Sequence, residues 1–297
     1  MKRFSTPLVV VLAAAFGLAA LAPLGAPFDS FCAALAKDAV VKSADGVPIS
    51  YSIQGKGEPA IVFVHCWCCD RGYWKDQIPY FEKKHTVVAV DLAGHGDSGL
   101  GRADWTIESF AADVVSVVEA LKLKKVFLVG HSMGGPVSLE AARLMPDRVI
   151  GVIGVDTFQD FGEKVPEEQQ KQWLSAFQAN FSTVTDQFVR SMFAAGADTA
   201  LVERIASDMA SAPPEVGIGA MKNMLRYDPA PAVREIKVPI RGINADKWPT
   251  NVEGNRKLAA SFDVKFMPGR GHFVQLEDPA TFNKLLEETI AGIVKGK

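Results

Sequence analysis

The sequence predicts an α/β protein, a doubly wound and mostly parallel sheet covered by helices, and two observations carry that expectation. Six short runs are largely apolar: "AIVFVH" (60–65), which is continuous, and the similar "TVVAVDL" (86–92), "KVFLVG" (125–130), "VIGVIGVD" (149–156), "VPIRGIN" (238–244) and "DVKFMPG" (263–269). A strand that is apolar on both faces is buried between two layers, which is the signature of a parallel sheet. Between these runs the apolar spacing changes to a helical period, and strands alternating with helices define the α/β class. The chain has 297 residues, 48% hydrophobic and 22% charged, enough for one large core.

The elements follow in order. Lys2 and Arg3 precede a run from Ser5 to Phe28 without a charge, centred on "LVVVLAAAFGLAALA" (8–22), and Ala34-Leu35-Ala36 fits the small-x-small rule of signal peptidase. Residues 1–36 therefore read as a secretory signal cleaved after Ala36, making the protein periplasmic or secreted. The alternative is an uncleaved N-terminal membrane anchor, against which Pro23 and Pro27 weigh. Membrane contact is expected only through this segment. "AVVKSADGVPISYSIQG" (39–55) reads as two strands turning at Asp45-Gly46. "TIESFAADVVSVVEALKL" (106–123) has Ile107, Phe110, Ala111, Val114, Val118 and Leu121 at helical spacing, with Thr106 as cap. Helices are also expected over 133–145 and over 279–294, where Pro279 occupies a permitted first-turn position. Residues 158–232 hold amphipathic stretches and no convincing strand. They read as a helical cap inserted between two parts of the core, 37–157 and 233–297. Most of its Trp173, Phe177, Phe181, Phe188, Met192, Phe193, Met221 and Met224 would pack the cap and seat it. A few would line an apolar pocket over the strand ends.

The formal net charge of −2 leaves no broad basic surface, so nucleic acid is not an expected partner. A small molecule is. Of four cysteines, Cys32 would leave with the signal, and Cys66, Cys68 and Cys69 crowd into "HCWCCD" (65–70). The spacing matches no tetrahedral zinc site, and no metal is expected. The three read as small buried residues of a tight loop, with a strained local disulfide or a reactive thiol as the alternatives.

"LVGHSMGGPVS" (128–138) carries the chemistry. Gly130-His131-Ser132-Met133-Gly134 is G-x-S-x-G between a strand and a helix, the turn on which a serine nucleophile is held above a sheet. A serine hydroxyl needs a base to take its proton. The order serine, acid, histidine selects His272, in the glycine-rich loop "PGRGHFVQLEDP" (268–279), over His65, His85, His95 and His131. Asp246, after a strand end and ahead of His272, is favoured as the acid that orients the base; Asp156, also at a strand end after the serine, is the alternative. One oxyanion donor should be the backbone N–H of Met133, the residue after the serine, and the other should come from the loop after "AIVFVH".

From about residue 38 to its end the chain resembles the α/β-hydrolase superfamily. "FVHCW" is similar to the family's His-Gly-x loop, which implies Trp67 as the second oxyanion donor, with Cys66 standing where glycine is usual. "DLAGHGDSG" (91–99) resembles the family's D-x-x-G-x-G-x-S segment, a shaping loop; "GHSMGG", "INAD" and "GHF" stand in for nucleophile, acid and base. The resemblance implies acyl transfer to water without a cofactor, on a small or medium carboxylic ester or a lactone. Hydrolysis of a C–C bond, cofactor-free haloperoxidase or perhydrolase chemistry, and ligand binding without catalysis are the alternatives.

Overall fold

The computed structural model describes residues 37–296, so the expected signal segment and Cys32 lie outside the described residues. Eight strands form one sheet: β1 (Lys37–Lys42), β2 (Pro48–Gln54), β3 (Ala60–Val64), β4 (Val87–Val90), β5 (Val126–His131), β6 (Val149–Val155), β7 (Ile240–Ala245) and β8 (Asp263–Met267). Their order is β1-β2-β4-β3-β5-β6-β7-β8. The hairpin β1–β2 turns at Gly46, whose φ of 86° only glycine adopts freely, and β2 runs antiparallel to β4. Every other pairing is parallel.

The apolar runs are used on both faces because side chains alternate along a strand. Ile61, Phe63, Val87, Ala89, Phe127, Val129, Ile153 and Val155 pack with Phe282, Leu286, Ile290 and Ile293 of the last long helix. Val62, Val64, Val88, Val90, Val126, Leu128 and Val152 pack on the opposite face with Val114, Val117, Val118 and Leu139. The short α1 (Ile78–Phe81) follows β3, and α2 (Ile107–Ala120) begins at Thr106, whose side chain accepts from Ser109 N. The helix α3 (Gly134–Leu144) starts immediately behind the serine motif.

Between β6 and β7 lie α4 (Glu167–Ala179), α5 (Phe181–Met192), α6 (Thr199–Ala210), α7 (Pro214–Arg226) and α8 (Ala230–Glu235), with no strand among them. The helix α9 (Val252–Leu258) joins β7 to β8, and α10 (Val274–Glu277) and α11 (Pro279–Lys295) end the chain. Among the described residues no helix is long and apolar enough to cross a membrane.

The segment from Asp91 to Gly99 is folded around one carboxylate. Asp91 Oδ1 accepts from Arg71 N at 2.7 Å, and its Oδ2 accepts from Asp97 N at 2.9 Å and pairs with the Arg71 guanidinium. A Cβ on Gly96 would meet the Asp91 Oδ2 at 2.3 Å, so the carboxylate fills the space a side chain would need. This is a shaping loop and holds no group of the cavity described next.

Candidate active site

Ser132 sits between β5 and α3 with φ +51°, in the left-handed region that costs a residue bearing a Cβ about 1–2 kcal/mol. Its flanking glycines are required by close backbone approach. A Cβ on Gly130 would stand 2.0 Å from Gly134 O, and one on Gly134 would stand 2.4 Å from Val64 O. The turn is closed by Ser132 N donating to Val155 O at 3.0 Å and by Gly135 N donating to Ser132 O at 2.8 Å. Backbone held at such angles persists only where surrounding structure over-determines it, and it clusters at functional sites.

His272 and Ser132 line one cavity of about 210 Å³. The loop that carries His272 is held from two sides. His272 N donates to Met192 O at the end of α5 (3.0 Å), and the His131 Nε2–H donates to His272 O (2.9 Å) while Gln275 Nε2 donates to His131 Nδ1 (3.1 Å). His131 thus supports the loop, and burial depresses its basicity well below the ordinary histidine value, so it stays neutral. Burial likewise lowers His65 to about 4 and His95 to about 3.

The acid on His272 is Asp156, and the sequence-based preference for Asp246 is corrected. His272 Nδ1 donates to Asp156 Oδ2 at 2.5 Å, and the other oxygen, Oδ1, accepts from Ala245 N at 2.9 Å. Asp246 is exposed, and its carboxylate accepts from Gly269 N at 2.8 Å. The two aspartates end neighbouring strands, β6 and β7, and the difference lies in where each carboxylate is aimed. Asp156 follows β6 at φ +42°, and that backbone turn places its two oxygens on the histidine and on the end of β7. Chain order could not separate the two aspartates, because both fall between Ser132 and His272.

On the other flank the loop after β3 contains Cys66 to Cys69. Cys66 and Cys69 form a disulfide, and Cys68 is a free, buried thiol. All three are buried in a tight loop, as the first reading has it, and of its alternatives the local disulfide forms for two of them, across three positions with the Cα atoms 5.3 Å apart. Among the described residues, neither Trp67 nor Met133 donates its backbone N–H to a protein acceptor. The Trp67 indole Nε1–H donates to Gly217 O of α7 at 2.7 Å, and its ring meets Phe177, Phe181 and Phe188 edge-on.

The rest of the lining is apolar, with Phe188, Met192, Met209, Met221, Met224 and Trp248, apart from Ser191, whose hydroxyl donates to Phe188 O at 2.6 Å. Met209 and Trp248 are not among the residues the sequence marks; Met209 lies on α6 of the cap and Trp248 in the loop after β7. No aspartate, glutamate, lysine or arginine lines the cavity, and among the described residues no cluster of three histidine, cysteine or acidic side chains is placed to hold a metal ion.

A model of the alpha/beta hydrolase family matches residues 61–285. A 3-oxoadipate enol-lactonase of Acinetobacter baylyi is 23% identical over 252 residues, covering 82% of this chain and 94% of that one. An esterase from Thermogutta terrifontis superposes with a TM-score of 0.76 at 22% identity, over 86% of this chain and 99% of the other. Est816, described as an N-acyl homoserine lactone degrading enzyme, gives 0.74 at 26% identity, over 84% and 99%.

Proposed function

The chain belongs to the alpha/beta hydrolase family and is a hydrolase, and from that premise we propose that it cleaves small, uncharged carboxylic esters or lactones through an acyl-enzyme on Ser132. One observation carries the reading: a serine held at φ +51° shares a cavity with a histidine whose far nitrogen is bonded to a buried aspartate. Asp156 accepts from Nδ1, which fixes the proton there and leaves Nε2 as the base. In the first step Ser132 Oγ attacks the carbonyl carbon and its proton passes to His272 Nε2. The imidazolium, stabilised by Asp156, then returns that proton to the leaving oxygen. Water repeats the sequence on the acyl-enzyme and releases the acid. The oxyanion meets the N–H groups of Trp67 and Met133, which have no other protein acceptor among the described residues. Each such donor contributes about 3 kcal/mol to the transition state.

The substrate class follows from the walls. A space of about 210 Å³ is below the usual range for drug-sized ligands, and it suits a short acyl group. Burying a substrate carboxylate among methionines and aromatic rings without a cationic partner is costly, so the acyl portion is neutral. The enol-lactonase and the lactone-degrading relative support including lactones in the panel. The test is labelling with a fluorophosphonate probe together with hydrolysis of p-nitrophenyl esters of increasing chain length. Wild-type protein should label at Ser132, prefer short chains and lose both properties in Ser132→Ala. Wild-type protein that neither labels nor turns over an ester or lactone refutes the assignment.

A further inference from the structure

Cys66 is the point at which this chain departs from the family's glycine, and the structure shows what its side chain does. Cys66 and Cys69 close a covalent ring around Trp67 and Cys68. Both sulfur-bearing residues are buried, at 2% and 3% exposure; Cys66 lines the cavity of Ser132 and His272, and Cys69 lines a second, more polar one of about 270 Å³. Inside the ring Cys69 N donates to Cys66 O at 3.2 Å, so the four residues form a turn. Cys68, its third residue, has φ +55°, a position normally given to glycine or asparagine.

The turn controls one peptide plane. Cys66 O accepts two hydrogen bonds, from Cys69 N and from His65 Nδ1–H at 2.7 Å. The tautomer of His65 follows from its other nitrogen, because Nε2 accepts from Leu92 N at 3.0 Å. A trans peptide is planar, so fixing the Cys66 carbonyl fixes the N–H of Trp67 on its opposite edge. That N–H is the candidate oxyanion donor. The disulfide keeps Cys69 N against Cys66 O and thereby keeps the donor aimed.

A bond across so short a loop removes little freedom from the unfolded chain, since loop-closure entropy grows with loop length. Its consequence is concentrated on the residues inside the ring. The neighbouring thiol does not undo it. Burial pushes Cys68 well above the ordinary thiol range, and a protonated thiol does not attack a disulfide.

We infer that Cys66 and Cys69 are positioning residues for the reaction: their disulfide aims the Trp67 amide at the developing oxyanion, so its reduction slows turnover while substrate binding persists. The inference rests on the serine-hydrolase reading of the cavity. Reduction by a dithiol is balanced: two thiol hydrogens pass to the two Sγ atoms, and the dithiol closes to its own cyclic disulfide.

The full chain is assayed oxidised, after dithiothreitol, and after reoxidation, with the state of the 66–69 bond read by the mass of the peptide that spans it. Cys69→Ala is measured in parallel. The readouts are kcat and KM for a short p-nitrophenyl ester, and the affinity of a boronic acid that forms a tetrahedral adduct on the serine. Loss of one oxyanion donor lowers turnover by about 100- to 1,000-fold, and a misaimed donor by a part of that, so a fall of at least about tenfold in kcat is expected. KM should hold within about twofold, since the lost interaction forms only in the transition state. Boronate affinity should fall by the factor seen in kcat, reoxidation should restore both, and Cys69→Ala should match the reduced enzyme and ignore dithiothreitol. Unchanged kcat and boronate affinity in a reduced, folded enzyme and in Cys69→Ala overturn the inference. So does loss of the circular dichroism signal in both, because a bond that holds the whole fold is not a positioning element. An oxidised enzyme that neither labels at Ser132 nor cleaves an ester overturns the hydrolase reading itself and this inference with it, which separates the two failures.

Discussion

The exchange of Asp246 for Asp156 as the orienting acid is tested by two isosteric variants. In Asp156→Asn the amide oxygen can still accept from Ala245 N, the 2.9 Å bond that ties the end of β6 to the end of β7, so the backbone has no reason to move. The amide NH₂ then faces His272 Nδ1 in place of the oxygen that accepts at 2.5 Å. Two donors cannot share that contact, so Nδ1 gives up its proton and Nε2 takes one. The nitrogen that should receive the serine proton is blocked, and no anion remains to stabilise the imidazolium. A change of this kind in a serine triad lowers kcat by about 10,000-fold, equivalent to about 5 kcal/mol of barrier. Asp246→Asn keeps an oxygen for Gly269 N on the surface and should change kcat by no more than about threefold. Ester turnover and thermal unfolding measured on both variants decide the matter. A folded Asp156→Asn enzyme within tenfold of wild type, or a collapse of kcat in Asp246→Asn, refutes the assignment.

Two further outcomes concern stability. Arg102 is 3% exposed at its side chain and grips the fully buried Asp113 with two nitrogens, at 2.5 and 3.0 Å. Asp113→Ala leaves that guanidinium with the half-exposed Asp45 as its one remaining carboxylate, beside the Ser43 hydroxyl, and should cost about 3–5 kcal/mol, read by calorimetry as a fall of about 10 °C in Tm. His95 packs against Phe110 and His65, and burial lowers it to about 3. Its folded-state value lies below the unfolded one of about 6.5, so its contribution is whole above pH 6.5 and is lost as the pH falls toward 3. By pH 4 wild type should have lost about 3 kcal/mol relative to His95→Phe, which cannot take up the proton. Urea titrations of both proteins across that window check this, and parallel curves contradict it.

The sequence by itself determined the elements that follow from local chemistry. Largely apolar runs marked six of the eight strands, most clearly β3 to β6, because a strand buried on both faces has no polar period to hide it, whereas β8 lies partly exposed. Thr106, Pro279 and the Gly130–Gly134 spacing marked their helix starts and the serine turn, because caps and close backbone approach depend on neighbouring residues alone. Tertiary structure decided what depends on how backbone turns aim side chains and on which elements meet. Asp156 rather than Asp246 reaches His272 because its turn after β6 aims its carboxylate at the ring while the Asp246 carboxylate is taken up by Gly269 N, and neither turn is written in residue order. The bond between Cys66 and Cys69, rather than one involving Cys68, depends on how a four-residue turn directs its side chains. The wall of methionines over Ser132 needs α5, α6 and α7 to converge, and amphipathic spacing states that a face is buried without saying against what.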